Sequence, residues 1–233
     1  MPRNTSPDNL LLHQEVLLLA LNDDQGTPEF GVSYSFAMGG AILAELFLAE
    51  RIRLVKPKKN QLLEVADGTP LGDPILDDAV LKIRTAKRRS TPATWVSRLG
   101  SSKDLKHAVA LSLVDRGILK EDVGRLLLIF KRKIYPERDP GPERRIIARL
   151  EKTIFGESRD VDPRTAILVS LSSGTGLLKT CFDKKRLKER KHRIDELSSG
   201  QFAGEAVQQA VQAAQAAAMA AITAATTVTV ITS

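Results

Sequence analysis

SSKDLKHAVALSLVDRGILKEDVGRLLLIFKRKIYPERDPGPERR, residues 101–145, is the stretch whose reading decides the fold. Ser101 with Asp104 three residues on has the form of a capping box, which predicts an amphipathic helix with Val109 and Leu113 on its apolar side. The turn Asp115-Arg116-Gly117 ends it. The apolar run Leu126 to Phe130 then reads as a short strand, continued by Lys131-Arg132-Lys133 into a Pro/Gly turn. Helix, strand and basic hairpin together would present a cationic surface on a rigid frame. Lys103 and Lys106 stand at the positive end of the helix dipole, an arrangement suited to a phosphate, or simply two lysines shown to solvent.

Toward the N-terminus, Leu10 to Leu21 is apolar nearly all round and predicts a helix deep in the core. Ser35 to Glu50 predicts a second apolar helix, in which Gly39-Gly40 would let a neighbouring element approach closely and Glu45 reads as a capped or paired structural carboxylate. Residues 51–55 and 61–65 alternate as a hairpin, and Thr69 to Asp77 is a turn feeding a helix over 75–86. A short helix carries Trp95 as a core anchor. Toward the C-terminus, helices are expected over Glu143–Phe155 and from Pro163, with Asp162 as cap. Ser172 to Gly176 reads as a helix terminus, because it lacks the lysine of a phosphate loop. A basic helix spans 184–193 with Leu187, Ile194 and Leu197 at core spacing, and an alanine-rich helix spans 202–225.

Composition narrows the function classes. The 233 residues are 42% hydrophobic and 27% charged, ordinary for a globular protein, and 35 Lys+Arg against 28 Asp+Glu give a net charge of +7. That balance favours an anionic partner: nucleic acid, an acidic membrane surface or an acidic protein. The single cysteine, Cys181, leaves no disulfide and no metal-binding cysteine pair, which fits a reducing compartment. No signal-like segment or convincing bilayer span appears, so the protein reads as soluble, at most peripheral on a membrane. His13, His107 and His192 are far apart in sequence, and no zinc spacing, nucleophile elbow or dinucleotide fingerprint stands out. The expectation is a protein that is not an enzyme, with no catalytic residues, cofactor or metal.

Five segments occur in an order that resembles the Golgi phosphoprotein 3 family in its shorter bacterial-type form. They are Glu15-Val16-Leu17-Leu18-Leu19, Gly40 to Leu46 (GAILAEL), Gly72 to Asp77 (GDPILD), Leu113 to Leu119 (LVDRGIL) and Tyr135-Pro136. The resemblance implies a mainly α, single-domain multi-helix bundle with small β-hairpins at its periphery. A family domain would cover 10–225, flanked by a flexible N-terminus (1–9) and a frayed tail (226–233). It also implies a peripheral membrane protein that binds phosphatidylinositol 4-phosphate and the cytoplasmic tails of glycosyltransferases. The family's lipid-pocket tryptophan falls near Phe30, and its two helix arginines fall on Lys103 and Lys106, which keep the charge but lose the bidentate fork. The second-helix arginine falls on Gly39, which removes a charge.

The leading expectation is therefore a cytoplasmic, peripherally membrane-associated adaptor. It would bind a phosphoinositide or other anionic lipid through Phe30, Lys103, Lys106, Lys131, Arg132, Lys133 and Arg138. Protein tails are further expected partners, and the hairpin would sit at an interface, join a second copy of the chain, or close the domain's own core. The alternative is a winged-helix-like nucleic-acid-binding module. Apolar Val109, Leu113 and Val114 argue against it, since they leave few side chains to read base edges.

Overall fold

A computed structural model describes residues 9–21, 26–27, 34–55, 61–126, 130–158, 160–199 and 211, with backbone alone for 124–126 and 130–132. Residues 1–8 of the expected flexible N-terminus (1–9) and the expected frayed tail (226–233) lie outside these residues, as does all of the alanine-rich segment except Val211, which is helical and buried.

The first two helices form the centre because their sequences carry apolar side chains on every face. All of α1 (Leu12–Ala20) is buried, including His13, Gln14 and Glu15. Most of α2 (Tyr34–Leu48) is buried as well. Four further helices surround them: α3 (Pro74–Thr85), α4 (Pro92–Gly100), α5 (Leu105–Asp115) and α6 (Gly141–Phe155). The last four are α7 (Pro163–Thr175), α8 (Leu178–Cys181), α9 (Lys184–Glu189) and α10 (Lys191–Ser199). Helix α2 packs on α1, α3, α4 and α7, while α5 and α6 pack on α1 and α10 packs on α7. Two antiparallel hairpins complete the described fold, β1 (Ile52–Val55) with β2 (Leu62–Val65), and β3 (Asp122–Leu126) with β4 (Phe130–Ile134).

Helices α2 and α4 approach each other closely at two glycines. A Cβ at Gly39 of α2 would lie 2.4 Å from the Val96 carbonyl oxygen of α4, and one at Gly100 would lie 2.4 Å from the Ser35 carbonyl oxygen. The two backbones therefore touch where a side chain has no room. Trp95 of α4, 4% exposed, anchors the same helix in the core, with the Arg98 guanidinium 5.0 Å from its ring centroid.

Two buried carboxylates brace the bundle. Glu45 accepts from Arg164 Nη1 at 3.1 Å, from Arg164 Nη2 at 2.5 Å and from the Leu12 N–H at 2.7 Å. One side chain thus holds α2, α7 and the start of α1 together. Glu15 of α1 accepts from Arg149 of α6 at 2.7 Å. Local caps also follow the sequence: Asp73 accepts the N–H groups of Ile75 and Leu76, and Asp162 accepts that of Thr165. Gly176 ends α7 in the left-handed region at φ +86°, so the Ser172–Gly176 segment is a helix terminus.

Three local expectations are corrected. The two ends of the run Leu126–Phe130 belong to different strands: Leu126 closes β3, Phe130 opens β4 and the two pair with each other, with 127–129 outside the described residues. Lys131-Arg132-Lys133 consequently lies within β4, in register with Arg125, Gly124 and Val123. An apolar run predicts burial, whereas strand pairing is set by the backbone of the partner strand, here the polar segment Asp122–Arg125. Ser101 caps no helix N-terminus; it ends α4, and its hydroxyl donates to the Arg98 carbonyl at 3.3 Å. The basic helix is broken into α9 and α10 at Arg190, whose guanidinium turns to the Phe155 and Gly156 carbonyls and to Glu157, the last at 2.6 Å.

Candidate functional site

The start of α5 and the end of the β3–β4 hairpin meet at one side-chain pair. His107 Nδ1 and the Tyr135 hydroxyl are 3.0 Å apart, with ring centroids at 5.7 Å and planes tilted by 56°. Tyr135 is fully buried. Its N–H donates to the Gly26 carbonyl at 3.0 Å, and Gly26 itself has φ +58°. A Cβ at that position would come within 2.3 Å of the Tyr135 and Pro136 backbones, so the chain from α1 to α2 crosses the hairpin root at a place only glycine fits. Residues 28–33, Phe30 among them, lie outside the described residues.

Cations gather about this pair. Burial and the ammonium groups of Lys106 and Lys133 all hold His107 below the ordinary histidine value of 6.5, opposed by Asp104 and Glu121. Both lysines are thus electrostatically within reach of one imidazole, one from the first turn of α5 and one from β4. Lys133 is 2.7 Å from Glu121, and that contact holds its ammonium above the usual lysine value. Its side chain is 57% exposed, so the pair is a surface salt bridge worth little, and Lys133 can exchange Glu121 for another anion. In backbone register, Arg125 stands opposite Lys131.

The remaining expected residues are placed as follows. Lys103 is exposed in the turn between α4 and α5. Lys131 and Arg132 belong to β4 by backbone. Arg138 is exposed beyond β4, where its N–H donates to the Ile118 carbonyl at 2.9 Å. The structure therefore places Lys106 and Lys133 on two elements joined through His107 and Tyr135, while Lys103 and Arg138 occupy separate exposed turns. A cleft of about 330 Å³ beside the start of α5 is a poor anion seat: its lining includes Asp78 and Asp104, and its one lysine, Lys82, is 2.6 Å from Asp78.

The sequence profile of the Golgi phosphoprotein 3 (GPP34) family matches residues 12–214. This chain belongs to that family. Among its relatives is the vacuolar protein sorting-associated protein 74 of Schizosaccharomyces pombe, 28% identical over 222 residues that cover 81% of this chain and 66% of the yeast protein. The protein of the same name from Eremothecium gossypii is 30% identical over 169 residues, covering 63% of this chain and 50% of that protein. The chain thus spans between half and two thirds of the length of the curated relatives it matches.

The segments that resemble the Golgi phosphoprotein 3 family prove to be its frame. Glu15 and Glu45 are the buried carboxylates, and Asp73 and Asp77 organise the start of α3, where Asp77 accepts the N–H of Leu71 at 2.6 Å. Arg116 donates to Gln14 at 3.3 Å and to the Asn9 carbonyl at 3.2 Å, tying the end of α5 to the start of α1. Tyr135 is the hairpin root. Sequence reading missed the partners: Arg149, Arg164 and His107 lie 134, 119 and 28 residues from the groups they meet, and no periodicity links such distances. At Gly39, where the resemblance puts an arginine, the Val96 backbone occupies the space a side chain would need.

Proposed function

We propose that this Golgi phosphoprotein 3 family member is a non-enzymatic peripheral membrane adaptor. It engages anionic or phosphorylated lipid through the start of α5 and the β3–β4 hairpin, with Lys103, Lys106, Lys131, Arg132, Lys133 and Arg138 as the cationic residues and Phe30 as the apolar contact. The observation that carries the reading is the 3.0 Å His107–Tyr135 bond, which joins the start of α5, with Lys106, to the end of β4, with Lys133. Two elements distant in sequence thereby share one cationic surface on a rigid root. Each basic residue near an anionic leaflet contributes roughly 1 kcal/mol, so a handful gives reversible binding. No described helix is long and apolar enough to cross a membrane, which accords with peripheral attachment. The family relation supports cytoplasmic protein tails as further partners.

Lysines in place of arginines, and a filled space at Gly39, make general charge attraction the main force. Phosphatidylinositol 4-phosphate is then bound as one anionic lipid among others. Flotation with neutral vesicles, vesicles of a generic anionic lipid, and phosphatidylinositol 4-phosphate vesicles at matched charge tests this, with duplex DNA as competitor. Binding to both anionic sets and not to neutral vesicles is expected. No flotation on any vesicle, with tight DNA binding instead, would overturn the proposal in favour of nucleic acid.

A further inference from the structure

On the far part of the chain, α7, α8, α9 and α10 enclose a groove of about 410 Å³. Its floor is apolar: Leu178 and Ile194 are buried and Leu187 is half-buried. Its rim carries Lys179, Lys184, Lys188 and Lys191, all exposed, with Asp195 as the carboxylate among its lining residues. Lys191 pairs with Asp195. Lys179, Lys184 and Lys188 have no ion-pair partner among the described residues.

The break at Arg190 creates this shape. A continuous basic helix would carry its lysines around one cylinder; instead Arg190 is held by the Phe155 and Gly156 carbonyls and Glu157, and α9 packs on both α8 and α10. Leu187 and Ile194 then face into one slot, and the lysines one or three residues away border it. On the opposite wall Ser173 and Gly176 are small, which leaves the slot open.

An apolar floor rimmed by unpaired ammonium groups fits a ligand with one apolar chain and one anionic head. The volume is in the range of small-ligand pockets, and lysine binds phosphate as a point charge without demanding a particular orientation. We infer that this groove is a second anionic-lipid site, separate from the hairpin surface, which seats an acyl chain of a membrane phospholipid against Leu178, Leu187 and Ile194 and its phosphate among Lys179, Lys184 and Lys188. The charge complementarity names the head, and the apolar floor names the tail. An inorganic anion would gain only the first, and a neutral lipid only the second.

The test uses the full chain and dioctanoyl phosphatidic acid below its aggregation concentration, titrated by calorimetry. Saturable binding is expected, weakened at least tenfold by Lys184→Glu with Lys188→Glu and also by Ser173→Trp, which fills the slot from an exposed position. Every titration is repeated in a Lys103→Glu, Lys106→Glu background, which removes those lysines' contribution to the hairpin surface; the saturable binding should persist there and be lost only with the groove substitutions. Inorganic phosphate at the same concentration should not compete. The inference is overturned if the groove variants bind as the wild type does, if phosphate alone competes fully, or if an acidic amphipathic peptide binds the groove while the lipid does not.

Discussion

His107 and Tyr135 join the start of α5 to the root of the β3–β4 hairpin through a 3.0 Å hydrogen bond, and this junction aligns the two cationic elements. Because Tyr135 is fully buried, removing its hydroxyl leaves the imidazole without that partner. Tyr135→Phe is expected to destabilise the fold by about 0.5–1.5 kcal/mol, read from urea unfolding. A loss of lipid binding larger than the loss of stability would show the bond setting the hairpin's position.

His107 also makes binding and pH interdependent. Its folded-state value lies below the 6.5 of an unfolded chain, through burial first and Lys106 and Lys133 second. As pH falls through 6.5 the unfolded chain takes up a proton before the folded one, so stability drops with falling pH until the folded histidine also protonates. An anion beside Lys106 and Lys133 favours the imidazolium and raises the value. NMR titration of the ring should show a value below 6.5 in the free protein and an upward shift with anionic bicelles; no shift would mean the anion lies elsewhere.

Glu45 is bound by Arg164 and by the Leu12 N–H in the centre of the bundle. Arg164→Met strands a buried carboxylate and should cost about 3–5 kcal/mol, whereas Glu45→Leu with Arg164→Met should cost much less than the two singles added together. A double-mutant cycle in guanidinium measures it. Glu15 differs in sign: burial raises its carboxyl above the ordinary 4.5 despite Arg149. Its contribution therefore weakens as pH rises from about 4.5 through the folded value, and Glu15→Gln should flatten that part of the stability profile.

Much of the frame was legible in the sequence, and the reason differs from element to element. The helix α1 announces itself because an all-apolar turn can only be buried, and Asp73, Asp162 and Pro163 mark helix starts by chemistry confined to three or four residues. The strand bounds of the basic hairpin were misplaced because Leu126–Phe130 is apolar enough to read as buried, while the pairing that decides β3 and β4 is made by backbone groups with no side-chain signature. The cationic residues of the site could be named, but not their convergence. The elements that carry Lys106 and Lys133 are joined where Tyr135 reaches His107, a relation between residues 28 apart.

Gly39 offers a sharp contrast between charge and packing. Gly39→Arg restores the cation expected from the family resemblance, yet its Cβ would fall 2.4 Å from the Val96 carbonyl oxygen. The helices α2 and α4 would have to separate, at a cost of about 1–3 kcal/mol or more. The expected result is a lower melting temperature with no gain in phosphatidylinositol 4-phosphate binding. Tighter binding at unchanged stability would mean that α4 can be displaced.

The central claim is that α5 and the hairpin form one lipid-facing surface, and charge reversal across the junction tests it most directly. Lys106→Glu and Lys133→Glu, singly and together, should be compared with the wild type in flotation on vesicles of a generic anionic lipid at moderate salt. Circular dichroism would confirm an unchanged fold. The predicted result is weakened binding in each single variant and at least a tenfold loss in the double, with neutral vesicles bound by none. A double variant that floats as well as the wild type would contradict the account.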